Sequence, residues 1–189
     1  MKGPPRVGIC STKLISMLNI LIACDHKPSR ENLVHILTAH PAFHIIAVCA
    51  DTHAAVAITG SEQPDIVFVD GSSDPLAAIE ATKKILSFST AGVIALSRQP
   101  DASFAKHMQA AGALGYLGGG FSAAEITMAV MEVARDNFYC SLDTIHVPVP
   151  TPERLSAFKR TVAALRNNGR KRINETVASH WYNILRFTN

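Results

Sequence analysis

The chain has 189 residues, of which 48% are hydrophobic and 17% charged, for a formal net charge of +3. That composition suits a globular protein, and no apolar run approaches the ~20 residues of a membrane span, which excludes a membrane protein, a repeat array and a charged tail protein. Cys10, Cys24, Cys49 and Cys140 stand too far apart for a zinc ribbon or a dithiol redox motif, and the aliphatic content builds a core without disulfides, so a reducing cytoplasm is the expected compartment.

Residues 1–16 (MKGPPRVGICSTKLIS) carry Lys2, Arg6 and Lys13 and no acid. They show no hydrophobic period and lack the unbroken apolar stretch of a signal peptide. The segment reads as a disordered arm, or as residues ahead of a start at Met17. From Leu18 onward, short apolar runs alternate with helical patterns. Strands are predicted at 18–23 (LNILIA), 45–50 (IIAVCA), 66–69 (IVFV), 93–96 (VIAL) and 114–117 (LGYL). Between them, apolar spacing predicts helices at 29–39, 53–61, 74–86, 101–111 and 122–137. Asp74-Pro75 is an N-cap before a first-turn proline, and Ser122 to Glu125 has the form of a capping box. Strand–helix repetition of this kind implies an α/β fold with a doubly wound, five-stranded parallel sheet covered on both faces. Residues 138–150, with Pro148 and Pro150, then read as a linker. Helical signals return at Thr151-Pro152 and at Asn174, implying a small all-α segment over 151–189. The charge follows this division: residues 17–144 are net acidic, whereas 145–189 carry eight basic side chains against Glu153 and Glu175. A basic tail behind an acidic body points to a polyanionic partner for the tail.

In a doubly wound sheet, ligands bind beyond the carboxyl ends of the strands. Asp25 follows the first strand and Asp70 the third; Ser97 follows the fourth, and Tyr116 lies near the end of the fifth. With strand order 2-1-3-4-5, Asp25 and Asp70 converge. Two carboxylates in one crevice repel unless a cation lies between them, and hard oxygen ligands at a partly hydrated site suit Mg²⁺. A carboxylate neutralised in this way can attack a phosphoryl group. The same acids also serve as ordinary turn-formers and helix caps, as in Asp70-Gly71. His35, His40, His44 and His53 are scattered over different elements, and Gly118-Gly119-Gly120 lacks the lysine of a phosphate-binding loop. Neither group forms a site.

Residues 18–137 resemble the receiver domain of two-component response regulators. The resemblance is carried by LNILIACDH (18–26), PDIVFVDGSSDPLAAIEATKKI (64–85), GVIALS (92–97) and AAGALGYLGGG (110–120). It implies a flavodoxin-like receiver over 17–137 in which Asp70 accepts a phosphoryl group from a sensor histidine kinase. It further implies Mg²⁺ held by Asp25, Asp70 and the carbonyl of Ser72, with Ser97 and Tyr116 as the switch pair. Two positions depart from the family. Cys24 stands where a second acid is usual, and Gly119 stands where a lysine follows the GYL turn. The first departure weakens the Mg²⁺ site, and the second removes a charge that would pair with the phosphoryl group. Cys24 itself reads as a small, partly buried core residue whose thiol is held neutral by the adjacent Asp25.

Thr151-Pro152-Glu153-Arg154 and ETVASHWYNILRF (175–187) resemble the start and the recognition helix of LuxR-type helix-turn-helix domains, in shortened form. Val177, Trp181, Ile184 and Leu185 recur at helical spacing as a buried stripe, leaving Ala178, Ser179 and Tyr182 outward. By resemblance those three face the major groove of promoter DNA, and Arg170, Lys171 and Arg172 contact phosphates. The expectation is a cytoplasmic, non-enzymatic, homodimeric response regulator with no membrane partner. The alternative is a phosphorylation-independent pseudo-receiver that acts as a protein–protein interaction module.

Overall fold

The structure, a computed structural model, describes residues 17–142. The arm 1–16, residues 143–150 of the expected linker and the expected helix-turn-helix at 151–189, including Arg170 to Arg172, Ala178, Ser179 and Tyr182, lie outside the described residues.

Strands and helices alternate in the order β1 (Leu18–Ala23), α1 (Lys27–Thr38), β2 (Phe43–Cys49), α2 (Thr52–Glu62), β3 (Ile66–Asp70) and α3 (Pro75–Phe88). The series continues with β4 (Gly92–Ser97), α4 (Ala102–Ala111), β5 (Gly115–Gly118), α5 (Ala123–Val133) and β6 (Tyr139–Cys140). The strands form one six-stranded parallel sheet in the order β2-β1-β3-β4-β5-β6. The doubly wound fold expected from the sequence is therefore present, with one strand more. β6 is only two residues long, too short for any periodicity to reveal. The chain reaches it because α5 stops at Val133 rather than running to residue 137. Asp136 adopts a left-handed φ of 61°, and the Asn137 side chain donates back to Glu132 Oε2 at 2.7 Å.

Two hydrophobic layers sandwich the sheet. Ile20, Ile22, Phe68, Ile94 and Leu96 pack with Leu33 and Leu37 of α1 and with Ile126, Val130 and Val133 of α5. On the other face Leu21, Val67, Val69, Val93 and Ala95 meet Ala55 of α2, Ala78 and Ile85 of α3, and Phe104 and Met108 of α4. Alternate residues of each strand thus serve opposite layers, which is why β1, β3 and β4 read as unbroken apolar runs.

Each helix begins on a side-chain cap. Asp51, Asp74 and Asp101 accept from the backbone N–H groups of Ala54, Ala77 and Phe104, and Ser122 and Glu125 form the expected capping box. α1 starts at Lys27, ahead of its predicted start, because the His26 ring caps Ser29 N–H and Pro28 is tolerated in the first turn. One buried side-chain polar atom among the described residues has no hydrogen-bond partner, Thr82 Oγ1 in α3. Thr82→Val removes that hydroxyl at nearly constant shape. Thermal unfolding should show a stabilisation of about 1 kcal/mol, the order of the desolvation cost of an unpaired hydroxyl.

Candidate functional site

After β1 the chain enters α1 on one face of the sheet, and after β3 it enters α3 on the other. These neighbouring strands pair Ala23 with Val69, so a crevice opens between their carboxyl ends. Asp25 follows β1 at an exposed position, and Asp70, half-buried, ends β3. Their carboxyl groups are close enough to interact. A hydrogen bond from the Ser73 side chain holds the Asp25 carboxyl below its ordinary range, aided by Asp70, the His26 backbone and the Arg98 guanidinium, and opposed by desolvation.

Asp70 is tied on both of its oxygens. Its Oδ1 accepts from the backbone N–H of Ser72 at 2.9 Å and from the Ser72 hydroxyl. The same hydroxyl accepts from the Arg98 backbone N–H at 3.0 Å, linking the loop after β3 to the end of β4. Asp70 Oδ2 accepts from the thiol of Cys24 at 3.0 Å. Cys24 is buried, and its thiol is pushed up to about 12, first by desolvation and next by the Asp70 hydrogen bond and charge. The thiol is therefore a neutral donor at physiological pH. The sequence reading expects a partly buried, un-ionised Cys24; the structure buries it fully, and the dominant carboxylate is Asp70 on the neighbouring strand, with adjacent Asp25 a lesser influence.

Ser97, at the end of β4, donates its hydroxyl to the carbonyl of Gln99 at 2.7 Å. Ser29, Asp70, Ser72, Ser97, Arg98 and Phe121 line a narrow cleft over the carboxylate. Tyr116 points into the protein, 1% exposed, and its hydroxyl accepts from the Asp101 backbone N–H at 2.9 Å. Burial raises the phenol above its ordinary range, against the Asp101 backbone and the Ser97 hydroxyl, which favour its charged form. Its ring lies edge-on to Phe104 at 6.2 Å. Gly119 has a left-handed φ of 88°, so a lysine there would be strained whatever the space around it.

The structure thus gathers Asp25, Asp70, Ser72 and Ser97 at the carboxyl end of the sheet, with Cys24 against the Asp70 carboxylate and Tyr116 one strand further. Sequence reasoning passed over Ser73, Arg98 and Gly71, beside which the Phe104 ring fills the space a Cβ would need. The position of Arg98 directly after the β4 strand end was the available signal for it.

The donor set can be tested against Mg²⁺ on this geometry. Two carboxylates within reach of one another, with no ion pair to a basic side chain among the described residues, supply hard oxygen and unneutralised charge. Cys24 adds neither, since its proton is engaged with Asp70. The residues fit the ion, with one negative charge fewer than a three-acid site.

Paired acids at the ends of adjacent parallel strands, with a hydroxyl and a buried aromatic on the next two, define a receiver-type α/β domain. The profile of the response regulator receiver domain matches residues 20–131, and the chain belongs to that family. Transcriptional regulatory protein DegU of Brevibacillus brevis is 29% identical over 139 residues, 73% of this chain and 59% of its own length. Transcriptional regulatory protein LiaR of Bacillus subtilis (strain 168) is 30% identical over 120 residues, covering 63% of this chain and 57% of its own. The chain therefore spans less than two thirds of these regulators, neither of which is named as an enzyme. A crystal structure of a two-component response regulator of the LuxR family from Aurantimonas sp. SI85-9A1 has a TM-score of 0.61 at 22% identity, covering 78% of this chain and 99% of that one. It shares the fold. Receiver domains generally bind Mg²⁺ for phosphorylation. Among the described residues no helix is long and apolar enough to cross a membrane.

Proposed function

We propose that this chain is a cytoplasmic response regulator that accepts a phosphoryl group on Asp70 from a sensor histidine kinase and regulates transcription through residues 151–189. The observation that carries the reading is the convergence of Asp25 and Asp70 at the carboxyl ends of β1 and β3, beneath a cleft lined by Ser72 and Ser97. A carboxylate oxygen of Asp70 attacks phosphorus as the bond from phosphorus to the donor's nitrogen or oxygen breaks, and the leaving group keeps the electron pair. Asp25, Asp70 and the Ser72 carbonyl would hold Mg²⁺, which would supply positive charge against the charge that builds up on the transferred group. Ser97 would hydrogen-bond the transferred group, and Tyr116 beside it would report the change to α4 through its bond to Asp101. In the tail, Arg170, Lys171 and Arg172 would contact phosphates while Ala178, Ser179 and Tyr182 face the major groove of promoter DNA, with a homodimer aligning two such tails.

A second reading has a specific observation in its favour. The Cys24 thiol bonded to Asp70 Oδ2 engages one acceptor oxygen and supplies no charge to hold Mg²⁺, which suits an interaction module that works without phosphorylation. Intact-mass spectrometry after incubation with acetyl phosphate and Mg²⁺ separates the two. The first reading expects one added phosphoryl group, abolished in Asp70→Asn. An unchanged mass in the wild-type chain across a range of Mg²⁺ overturns it.

A further inference from the structure

The phosphoryl-acceptor reading leaves a charge problem that the described residues resolve in one place. Asp25 and Asp70 already place two carboxylates in the crevice, and a transferred phosphoryl group would add further anionic oxygens. The neighbouring basic side chains are mostly committed elsewhere. Arg30 donates to the carbonyls of Cys24 at 2.6 Å and Asp25 at 3.2 Å, which fixes the backbone of the β1–α1 loop and turns its guanidinium toward that loop. Lys27 pairs with Glu31 at 3.8 Å. At the end of β5 the backbone of Gly119 is left-handed and carries no side chain toward the cleft.

Arg98 is different. It follows Ser97 at the end of β4, and it lines the cleft together with Asp70, Ser72 and Ser97. Its backbone is pinned there by the bond from its N–H to Ser72 Oγ at 3.0 Å. Its guanidinium enters no ion pair among the described residues. An anchored backbone and an exposed side chain without an ion pair, lining the cleft beside Asp70, suit the capture of an anion.

We propose that Arg98 is the phosphoryl-binding cation of this site, its planar fork taking the oxygens of the group carried on Asp70. This rests on the acceptor reading of Asp70 and adds to it the residue that supplies positive charge from the protein. A guanidinium suits the task because it stays charged and offers paired donors at the spacing of phosphoryl oxygens, which an ammonium does not. The exposure of Arg98 sets the scale: the contact is open to water and salt, so its effect lies at the low end for charge-assisted hydrogen bonds.

The arrangement has a signature that a merely structural role lacks. Arg98 attracts a phosphoryl group but repels Mg²⁺, so removing it must weaken binding of a phosphoryl mimic without weakening that of Mg²⁺. The experiment titrates the full chain with Mg²⁺ alone by calorimetry, then with beryllofluoride at saturating Mg²⁺ by fluorine NMR. Arg98→Ala should bind beryllofluoride about tenfold more weakly and bind Mg²⁺ as tightly as the wild type or more so. Arg98→Lys should recover part of the beryllofluoride affinity. Equal beryllofluoride affinity in Arg98→Ala and wild type overturns the assignment while leaving Asp70 as acceptor. A parallel fall in both affinities also overturns it, by showing that the residue only shapes the loop. If the wild type itself binds no beryllofluoride, the acceptor reading of Asp70 fails and takes this inference with it.

Discussion

Replacing Cys24 by aspartate should tighten Mg²⁺ binding between tenfold and a hundredfold and lower the melting temperature of the metal-free protein. The thiol now presents a neutral proton to Asp70 Oδ2 at 3.0 Å; a carboxylate in its place presents a third charge to the same crevice. Two unit charges ~4 Å apart interact by about 4 kcal/mol at an effective dielectric of 20, and screening at the open side of the crevice reduces this to roughly half. The same repulsion is unrelieved without the ion, so calorimetric unfolding should show Cys24→Asp below the wild type in chelator and recovering in Mg²⁺. An unchanged Mg²⁺ affinity would place Cys24 outside the cation's reach. A pH experiment on the wild type tests the other half of the argument. The folded thiol is raised from 9.0 to about 12, so the unfolded chain loses that proton first as pH rises. The contribution of Cys24 to stability is therefore complete below pH 9 and lost progressively from there towards pH 12. Cys24→Ala should flatten the alkaline limb of the stability curve, as measured by urea midpoints.

Gly71→Ala should destabilise the fold by about 2–3 kcal/mol, the upper range for overpacking a core. A Cβ at residue 71 would lie 2.1 Å from Cζ of Phe104 and under 3 Å from two more atoms of that ring. Phe104 has little freedom to yield, being 5% exposed and set edge-on against Tyr116. Because Gly71 follows Asp70 directly and donates its N–H to Leu96 O at 3.0 Å, the displaced backbone also carries the Asp70 carboxylate with it. Phosphorylation by acetyl phosphate should slow in the single variant. Phe104→Ala alone costs roughly 3–5 kcal/mol through the cavity it leaves. In the double variant the two changes should compensate, with a stability loss well below their sum and much of the rate restored. Strict additivity would mean that the ring does not rest on Gly71.

Much of the fold is local physics and was readable from the chain. Runs of Ile and Val between caps such as Asp74-Pro75 and Ser122-Glu125 announce buried strands and helix starts, because burial and capping act over a few residues. The convergence of Asp25 and Asp70 followed from strand order, a regularity of doubly wound sheets. The last strand was not readable, since Tyr139 and Cys140 pair with β5 only after the turn at Asp136 delivers them.

The chemistry of the site divides along the same line. Sequence by itself determined which residues stand at the strand ends, and its resemblance to the receiver family marked Cys24 and Gly119 as departures from that family's pattern. It left open what those two residues meet. Tertiary structure decided that the Cys24 thiol donates to Asp70 across 46 positions of sequence, that Arg98 is anchored to Ser72 across 26, and that the Phe104 ring occupies the space beside Gly71. Hydrogen bonds and van der Waals contacts of this kind depend on tenths of an ångström between elements far apart in the chain. Periodicity and propensity report only which way a residue faces along its own strand or helix, so the partner it finds there is settled by packing.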